Sequence, residues 1–327
     1  MSAPAGLPST VADLVLDPGV LRAVPTVEFQ GFAAVVQTGG VAVLPWRAHA
    51  REAQAAGVDC RPLVGDASGF AQAVVRVGKG RAATESDVAQ AWAALAPGGR
   101  LLIAGTNDTG ISTWAKRLAE RTGAAGEILA NRARGRVVAF VRTAAVLNVP
   151  PATTVPLPDG TPLLVTPGVF SGDGLDGGTA LLLSVLAEEE PAATVVDIGC
   201  GAGHLGLAAA RRWPESRVWL LDADHRAVEC AAANAQVLAP GRAQASWWDD
   251  RDPWPAPEAD LALLNPPFHA GTAADFSAAR RLFAASAAHR LLVVANRHLP
   301  YEHDARALGA LRLRADDGRF KVLEITR

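Results

Sequence analysis

The sequence predicts an α/β protein in two tandem halves, each a mainly parallel, doubly wound sheet, with an antiparallel hairpin at the C-terminal edge. Three observations carry this. In the second half, strand-like runs that are apolar throughout alternate with amphipathic helical segments, as expected of parallel strands covered on both faces. The first half repeats part of that order. There "AQAVVRVGKG", "TESDVAQAWAAL" and "PGGRLLIAGTN" run as strand, corner, helix and strand, at nearly the spacing of "ADLALLNPPF", "AADFSAARRLFAAS" and "HRLLVVAN". Finally, the chain closes on "LRLRADDGRFKVLEITR", two strands about an Asp-Asp-Gly turn.

The elements follow in order. "TTVPL", the Asp159-Gly160 turn and "TPLLV" read as a hairpin. The prolines of "NVPPATTVPLPDG" set a boundary just before it, giving domains 1–149 and 150–327. "ATVVDIGC" is a strand, followed by a helix from His204 to Arg212. "RVWLLDAD" is the next strand, followed by the Ala-rich helix "HRAVECAAANAQVL". "DLALLN", a helix over "AADFSAARRLFAASA" and the strand "RLLVVAN" complete the parallel part. In "NRARGRVVAFVR", Arg132, Arg134 and Arg136 alternate and would share one face of a strand. That face is either a charged, solvated edge or an anion-contacting surface.

Half of the 327 residues are apolar and a fifth are charged, an ordinary globular composition with room for two cores. The net charge of −2 argues against a polyanionic partner for the chain as a whole. The halves differ, however. Residues 1–150 hold 15 Lys and Arg against 11 Asp and Glu, net +4, whereas residues 151–327 hold 16 against 22, net −6. The N-terminus has no basic stretch leading into an apolar one, and no run is long enough to cross a bilayer. Cys60, Cys200 and Cys230 stand far apart, without His or Cys at ligand spacing. Neither a disulfide framework nor a metal site is expected, and the reading is a cytoplasmic protein with reduced thiols.

"VVDIGCGAGHLG" places Gly199, Gly201 and Gly203 in a strand-to-helix bend. Glycine there allows positive φ and close approach of a ligand to bare backbone, and the helix start offers free N–H groups. Asp222 ends the next strand, where an acid accepts hydrogen bonds from ribose hydroxyls. Together they indicate an adenosine-containing cofactor. Two frames are open at this point. Gly201, Gly203 and Gly206 satisfy the dinucleotide fingerprint, while Asp197 followed by Gly199, Gly201 and Gly203 is the pattern of S-adenosylmethionine sites.

"LALLNPPFHAG" decides between them, because a buried strand stops at Asn265 and gives way to two prolines and an aromatic. Ligands of a doubly wound sheet sit beyond the carboxyl ends of the strands. An exocyclic amino group on a base is a poor nucleophile, since its lone pair is delocalised into the ring. The Asn265 amide oxygen and the Pro266 carbonyl can accept both of its N–H bonds and favour pyramidalisation, which is orientation and electrostatics rather than proton abstraction. Pro266 and Pro267 fix the backbone, and Phe268 offers a ring to stack the base. A nicotinamide enzyme has no use for such a corner. It reads as a methyl-transfer site for a planar amino group.

The blocks "PGVFSGDGLDGGTALLLSVL", "VVDIGCGAGHLG", "NPPFHAG", "ANRHLPYE" and "GRFKVLEITR" resemble, in this order, the bacterial ribosomal RNA guanine-N2 methyltransferases. The resemblance is to the small-subunit (16S rRNA) type, with the 23S rRNA type as close relative. It covers most of residues 150–327, and more loosely the first half. It implies two tandem class I methyltransferase (Rossmann-like) domains. The first would be degenerate, with a stability or RNA-binding role, and the second would carry S-adenosylmethionine. The implied substrate is N2 of a guanine in ribosomal RNA, free or in the small subunit, and the enzyme would be a monomer. Carried over, Asp197, Gly199, Cys200, Gly201 and Gly203 match the cofactor loop and Asp222 the ribose acid. Asn265, Pro266, Pro267 and Phe268 match the catalytic corner. Phe170 to Thr179 match a segment walling the cofactor and target pocket. Such enzymes often place a polar acceptor at the adenine edge, where this chain reads "ASWWDD", and Trp247, Trp248 or Asp249 would serve there. Phe268, His269 and Lys321 fall on the substrate side, with Lys321 toward phosphate and His269 hydrogen-bonding or packing. The corner itself does not select guanine. Adenine in DNA, glutamine in a release factor, or a non-catalytic assembly role are the rival readings.

Overall fold

The computed structural model describes residues 9–170, 174–266 and 273–327. It divides into two compact units, the residues up to Pro151 and those from Ala152 onward. The division falls two residues past the end of the expected first domain.

The first unit contains α1 (Ser9–Val15), β1 (Thr26–Phe29), α2 (Ala33–Thr38), β2 (Gly40–Val43), α3 (Arg47–Ala55), β3 (Cys60–Arg61) and β4 (Phe70–Arg76). It continues with α4 (Arg81–Ala94), β5 (Leu95–Thr106), α5 (Ile111–Thr122), β6 (Glu127–Arg132) and β7 (Gly135–Val141). The second contains β8 (Thr153–Pro156), β9 (Pro162–Val165), α6 (Gly177–Leu186), β10 (Thr194–Ile198), α7 (His204–Arg212), β11 (Arg217–Asp222) and α8 (His225–Leu238). Then come β12 (Ala243–Trp247), β13 (Ala259–Leu264), α9 (Ala273–Ala285), β14 (Ala288–Asn296), α10 (Glu302–Arg306), β15 (Ala310–Asp316) and β16 (Phe320–Thr326).

The two seven-stranded sheets have the same topology. One runs β3-β2-β1-β4-β5-β7-β6 and the other β12-β11-β10-β13-β14-β16-β15, with β8 and β9 forming a separate hairpin. Five strands of each are parallel, and the last hairpin is antiparallel. The expected α/β architecture is thus present twice. Strand order reverses at β10 and β13, so the carboxyl ends of those strands frame the crevice of the second unit.

The apolar runs are apolar throughout because both faces of each sheet are buried. Val195, Leu263 and Leu292 pack into one layer with Leu182 and Leu183 of α6 and Leu205 and Leu207 of α7. Val196, Leu264 and Val293 point the other way, toward Leu282 and Phe283 of α9 and toward Tyr301. In the first unit Phe29, Val75 and Ile103 pack on Trp92, while Val74 and Leu102 pack on Val11 and Leu14. Truncating a fully buried aromatic such as Phe283 or Trp92 would cost about 3–5 kcal/mol through lost contacts and a cavity.

The arginine series is corrected by the structure. Arg132 ends β6, Ala133 and Arg134 form the turn at φ 48° and 63°, and Arg136 lies in β7. A turn reverses the chain, so the three do not share a strand face. Arg132 pairs with Asp17, and Arg136 donates to Ser112 Oγ at 3.1 Å.

The equivalent strand ends of the two units differ in chemistry. Phe29 aligns with Val75 in the first sheet as Ile198 aligns with Leu264 in the second. By this register Glu28 stands where Asp197 stands, and Arg76 where Asn265 stands. Glu28 is fully buried and accepts from Ala34 N–H at 2.7 Å and from Arg76 Nε at 2.9 Å. The guanidinium lies over Gly31, where a Cβ would come within 2.2 Å of Arg76 Nε.

Candidate active site

The site of the second unit begins at the end of β10. Gly199, Gly201 and Gly203 take φ of 72°, 55° and 91°, the left-handed region closed to most side chains, so the loop needs glycine. The loop folds over the end of β11, with Gly199 and Cys200 N–H both donating to the Leu221 carbonyl. Gly206 lets α7 sit close to the sheet, because a Cβ there would lie 2.4 Å from Leu220.

Two carboxylates hold this loop. Asp197 accepts from Gly206 N–H at 2.8 Å, in the first turn of α7. Asp222 accepts from Gly201 N–H and from Asp224 N–H, each at 2.9 Å. Burial drives the Asp197 carboxyl up to about 7, opposed by the Gly206 hydrogen bond and reinforced by the Asp222 charge. Burial likewise drives Asp222 up to about 6, against the hydrogen bond from Asp224 N–H. A cationic ligand would relieve both.

Asn265 follows β13 and enters the same cleft. Its Nδ2 donates to Asp176 Oδ2 at 3.1 Å and to Thr179 Oγ1 at 2.9 Å. Because a carboxylate only accepts, the amide must present its NH2 there. Its Oδ1 is then aimed elsewhere, buried and without a hydrogen-bond partner among the described residues. Asp176 is also the N-cap of α6, accepting from Thr179 N–H at 3.0 Å. Phe320 of β16 packs under this helix start, 3.0 Å from where a Gly177 Cβ would be.

Phe170, Thr179, Asp197, Gly199, Cys200, Gly201 and Asn265 line one cleft, together with Ala202, His204 and Leu205. Phe170 stands 61 % exposed beside Gly201. Gly203 caps α7, Asp222 supports the loop from below, and Pro266 is buried beside Asn265. Pro267, Phe268 and His269 lie outside the described residues.

One expectation is revised. Lys321 is buried on β16, its ammonium paired with Glu302 of α10, so it offers no free charge to phosphate. Asp249 follows β12 and accepts from Arg251 N–H at 2.9 Å within its own turn; neither it nor Asp222 is among the residues lining this cleft. The neighbouring tryptophans are structural: Trp247 Nε1 donates to Ala223 O, and Trp248 Nε1 to Pro253 O. Asp176 lies within the segment from Phe170 to Thr179 expected to wall the pocket but was not singled out, although an Asp ahead of the apolar run "GGTALLLSVL" is a helix-start signal.

Residues 160–324 match the methyltransferase small domain family. The chain is 42 % identical over 181 residues to the ribosomal RNA small subunit methyltransferase C of Pseudomonas entomophila, covering 53 % of each. It is 38 % identical over 183 residues to the ribosomal RNA large subunit methyltransferase G of Streptomyces avermitilis, covering 52 % of this chain and 48 % of the relative. The chain thus spans about half the length of the curated relatives it matches. In fold it is similar to a Thermus thermophilus 16S rRNA N2 methyltransferase solved with AdoMet and guanosine, with a TM-score of 0.83 and 24 % identity over 99 % of this chain and 93 % of that one.

Proposed function

The chain belongs to the methyltransferase small domain family, and from that premise we propose that it is an S-adenosylmethionine-dependent methyltransferase acting on the exocyclic N2 of a guanine in 16S ribosomal RNA. The observation that carries this reading is the Asn265 Oδ1, buried in the cleft with no partner among the described residues while the NH2 of the same amide is anchored. A buried acceptor left unmatched costs about 1–3 kcal/mol, which a donating ligand recovers.

The residues fit the cofactor. A glycine loop with bare backbone, two buried acids and a helix start suit a cationic adenosine derivative with an amino-acid end. Asp222 would accept from the ribose hydroxyls and Asp197 from the ammonium. S-adenosylmethionine supplies an electrophilic methyl group on a sulfonium.

The chain's own residues handle the other reactant. Asn265 Oδ1 accepts one N–H of the target amine and the Pro266 carbonyl the other, which localises the nitrogen lone pair and aims it. Phe268 stacks the base. The proton shed by the methylated amine passes to solvent, so no strong base is required.

The names of the relatives support ribosomal RNA as substrate, and a protein acting on it would work where ribosomes are, in the cytoplasm. No helix among the described residues is long and apolar enough to cross a membrane. The first unit, whose equivalent strand ends hold Glu28 and Arg76, is read as a degenerate copy that serves stability and RNA contact. Labelled methyl transfer to 30S subunits, 50S subunits, naked ribosomal RNA, DNA and a release factor tests the assignment. Label on 16S guanine N2 is expected. Label on any other acceptor would redirect it, and failure of the chain to bind S-adenosylmethionine would leave only the scaffold reading.

A further inference from the structure

A second cleft-lining side chain shares the condition of Asn265. His204 opens α7, a nine-residue helix, and is only 4 % exposed. Its Nε2 is buried and has no hydrogen-bond partner among the described residues. Burial lowers its basicity and no neighbouring charge contributes, so the ring is neutral near pH 7. The adjacent Leu205 and Leu207 already provide the apolar packing of this helix. An imidazole is not needed for that purpose.

The cofactor proposed above ends in an amino acid that carries one charge of each sign. Asp197, on the same cleft, is an acid and suits the ammonium. The carboxylate needs a donor, and the start of α7 is the positive end of the helix dipole. The same dipole opposes protonation of His204, so a neutral ring with its proton on Nε2 is the form that serves a carboxylate.

We propose that His204 is a cofactor-binding residue whose Nε2–H donates to the α-carboxylate of S-adenosylmethionine. It rests on the S-adenosylmethionine reading, and among the described residues lining the cleft His204 Nε2 and Asn265 Oδ1 are the buried side-chain atoms without a hydrogen-bond partner.

The test crosses a change in the protein with a change in the ligand. Full-length wild type, His204→Leu, His204→Ala and His204→Gln are titrated calorimetrically with S-adenosylhomocysteine and with 5′-methylthioadenosine, which lacks the amino-acid end. The Leu and Ala variants should bind S-adenosylhomocysteine about tenfold more weakly, the loss of one hydrogen bond to a charged group. Their affinity for 5′-methylthioadenosine should stay within about twofold, and the Gln variant should recover most of the loss through its amide N–H. Equal weakening toward both ligands would make His204 a packing residue and overturn the proposal, as would no weakening at all. If wild type bound neither ligand nor S-adenosylmethionine, the cofactor reading itself would fall. Should the Leu variant not fold, the Ala and Gln variants decide.

Discussion

Asp176 and Asn265, 89 residues apart in the chain, meet at 3.1 Å across the mouth of the second unit's crevice, carboxylate to amide NH2. This contact dictates which way round the Asn265 amide lies, so that its oxygen rather than its NH2 is the group left without a partner among the described residues. A helix cap and the amide proposed as catalytic are thus set by one carboxylate.

Asp176→Asn should separate the two duties. Asparagine caps a helix as well as aspartate does, so the melting temperature should hold. Its amide can donate as well as accept, so Asn265 loses its fixed orientation. Turnover should fall about tenfold with cofactor affinity unchanged, the scale of one hydrogen bond to a charged group. Unchanged turnover would show that the amide is oriented by something else.

Asn265→Ala removes the acceptor itself. Loss of a preorganised transition-state partner costs about 100- to 1000-fold in turnover. Equilibrium binding of S-adenosylmethionine should barely change, since Asp197, Asp222 and the glycine loop remain. A variant that binds cofactor poorly would instead place Asn265 in cofactor binding.

Cofactor affinity should depend on pH. Asp197 and Asp222 have carboxyls raised to about 7 and about 6 in the unliganded fold. Protonation is therefore tighter in the folded state than in the unfolded one, and between about pH 4 and 7 these two groups make folding less favourable as pH rises. A cationic ligand favours the ionised acids, so its binding should strengthen as pH rises from 5.5 to 8 and should release protons near pH 6. Calorimetry in two buffers of different ionisation enthalpy measures that release. A flat affinity and no proton release would contradict it.

An ion-pair ring at the sheet edge should dominate acid stability. Arg290 contacts Glu189 at 2.6 Å and Glu324 at 2.7 Å, and Arg314 contacts the same two acids. Burial works to raise the Glu324 carboxyl, but hydrogen bonds and charge from Arg290 and Arg314 outweigh it and hold it below its usual value. Its contribution is present above the unfolded carboxyl range and disappears as pH falls through the lower folded value. Glu324→Gln should cost about 3 kcal/mol near neutrality, and the gap to wild type should narrow below about pH 4. Denaturant titrations at pH 7 and pH 3.5 check both points.

Removal of the first unit tests its role. Residues 152–327 hold a separate core and every proposed catalytic residue, so they should bind cofactor. Ribosomal RNA methylation should fall and lose part of its salt dependence if the basic half supplies phosphate contacts. Equal activity of the two forms would deny that role.

The sequence resolved the second unit better than the first. His204–Arg212 and His225–Leu238 were legible to the residue, because each lies between an apolar strand and a clear stop. β1, β2 and β3 were not, because four-residue and two-residue strands joined by a six-residue helix leave too short a window for periodicity. The glycine loop and Asn265 were legible because their chemistry is local. The Asp176 contact was not, since it depends on two segments 89 residues apart. Lys321 misled for a related reason: sequence marks a charge, and only the fold places Glu302 beside it.

The Glu28–Arg76 pair over Gly31 occupies the equivalent strand ends of the other half. A permanent guanidinium sits at the strand end equivalent to Asn265, and its counter-ion is Glu28, one methylene longer than the Asp197 at the equivalent place. With a protein side chain already filling the space over Gly31, that half should leave no room for a cofactor, and the polypeptide as a whole should saturate at a single equivalent.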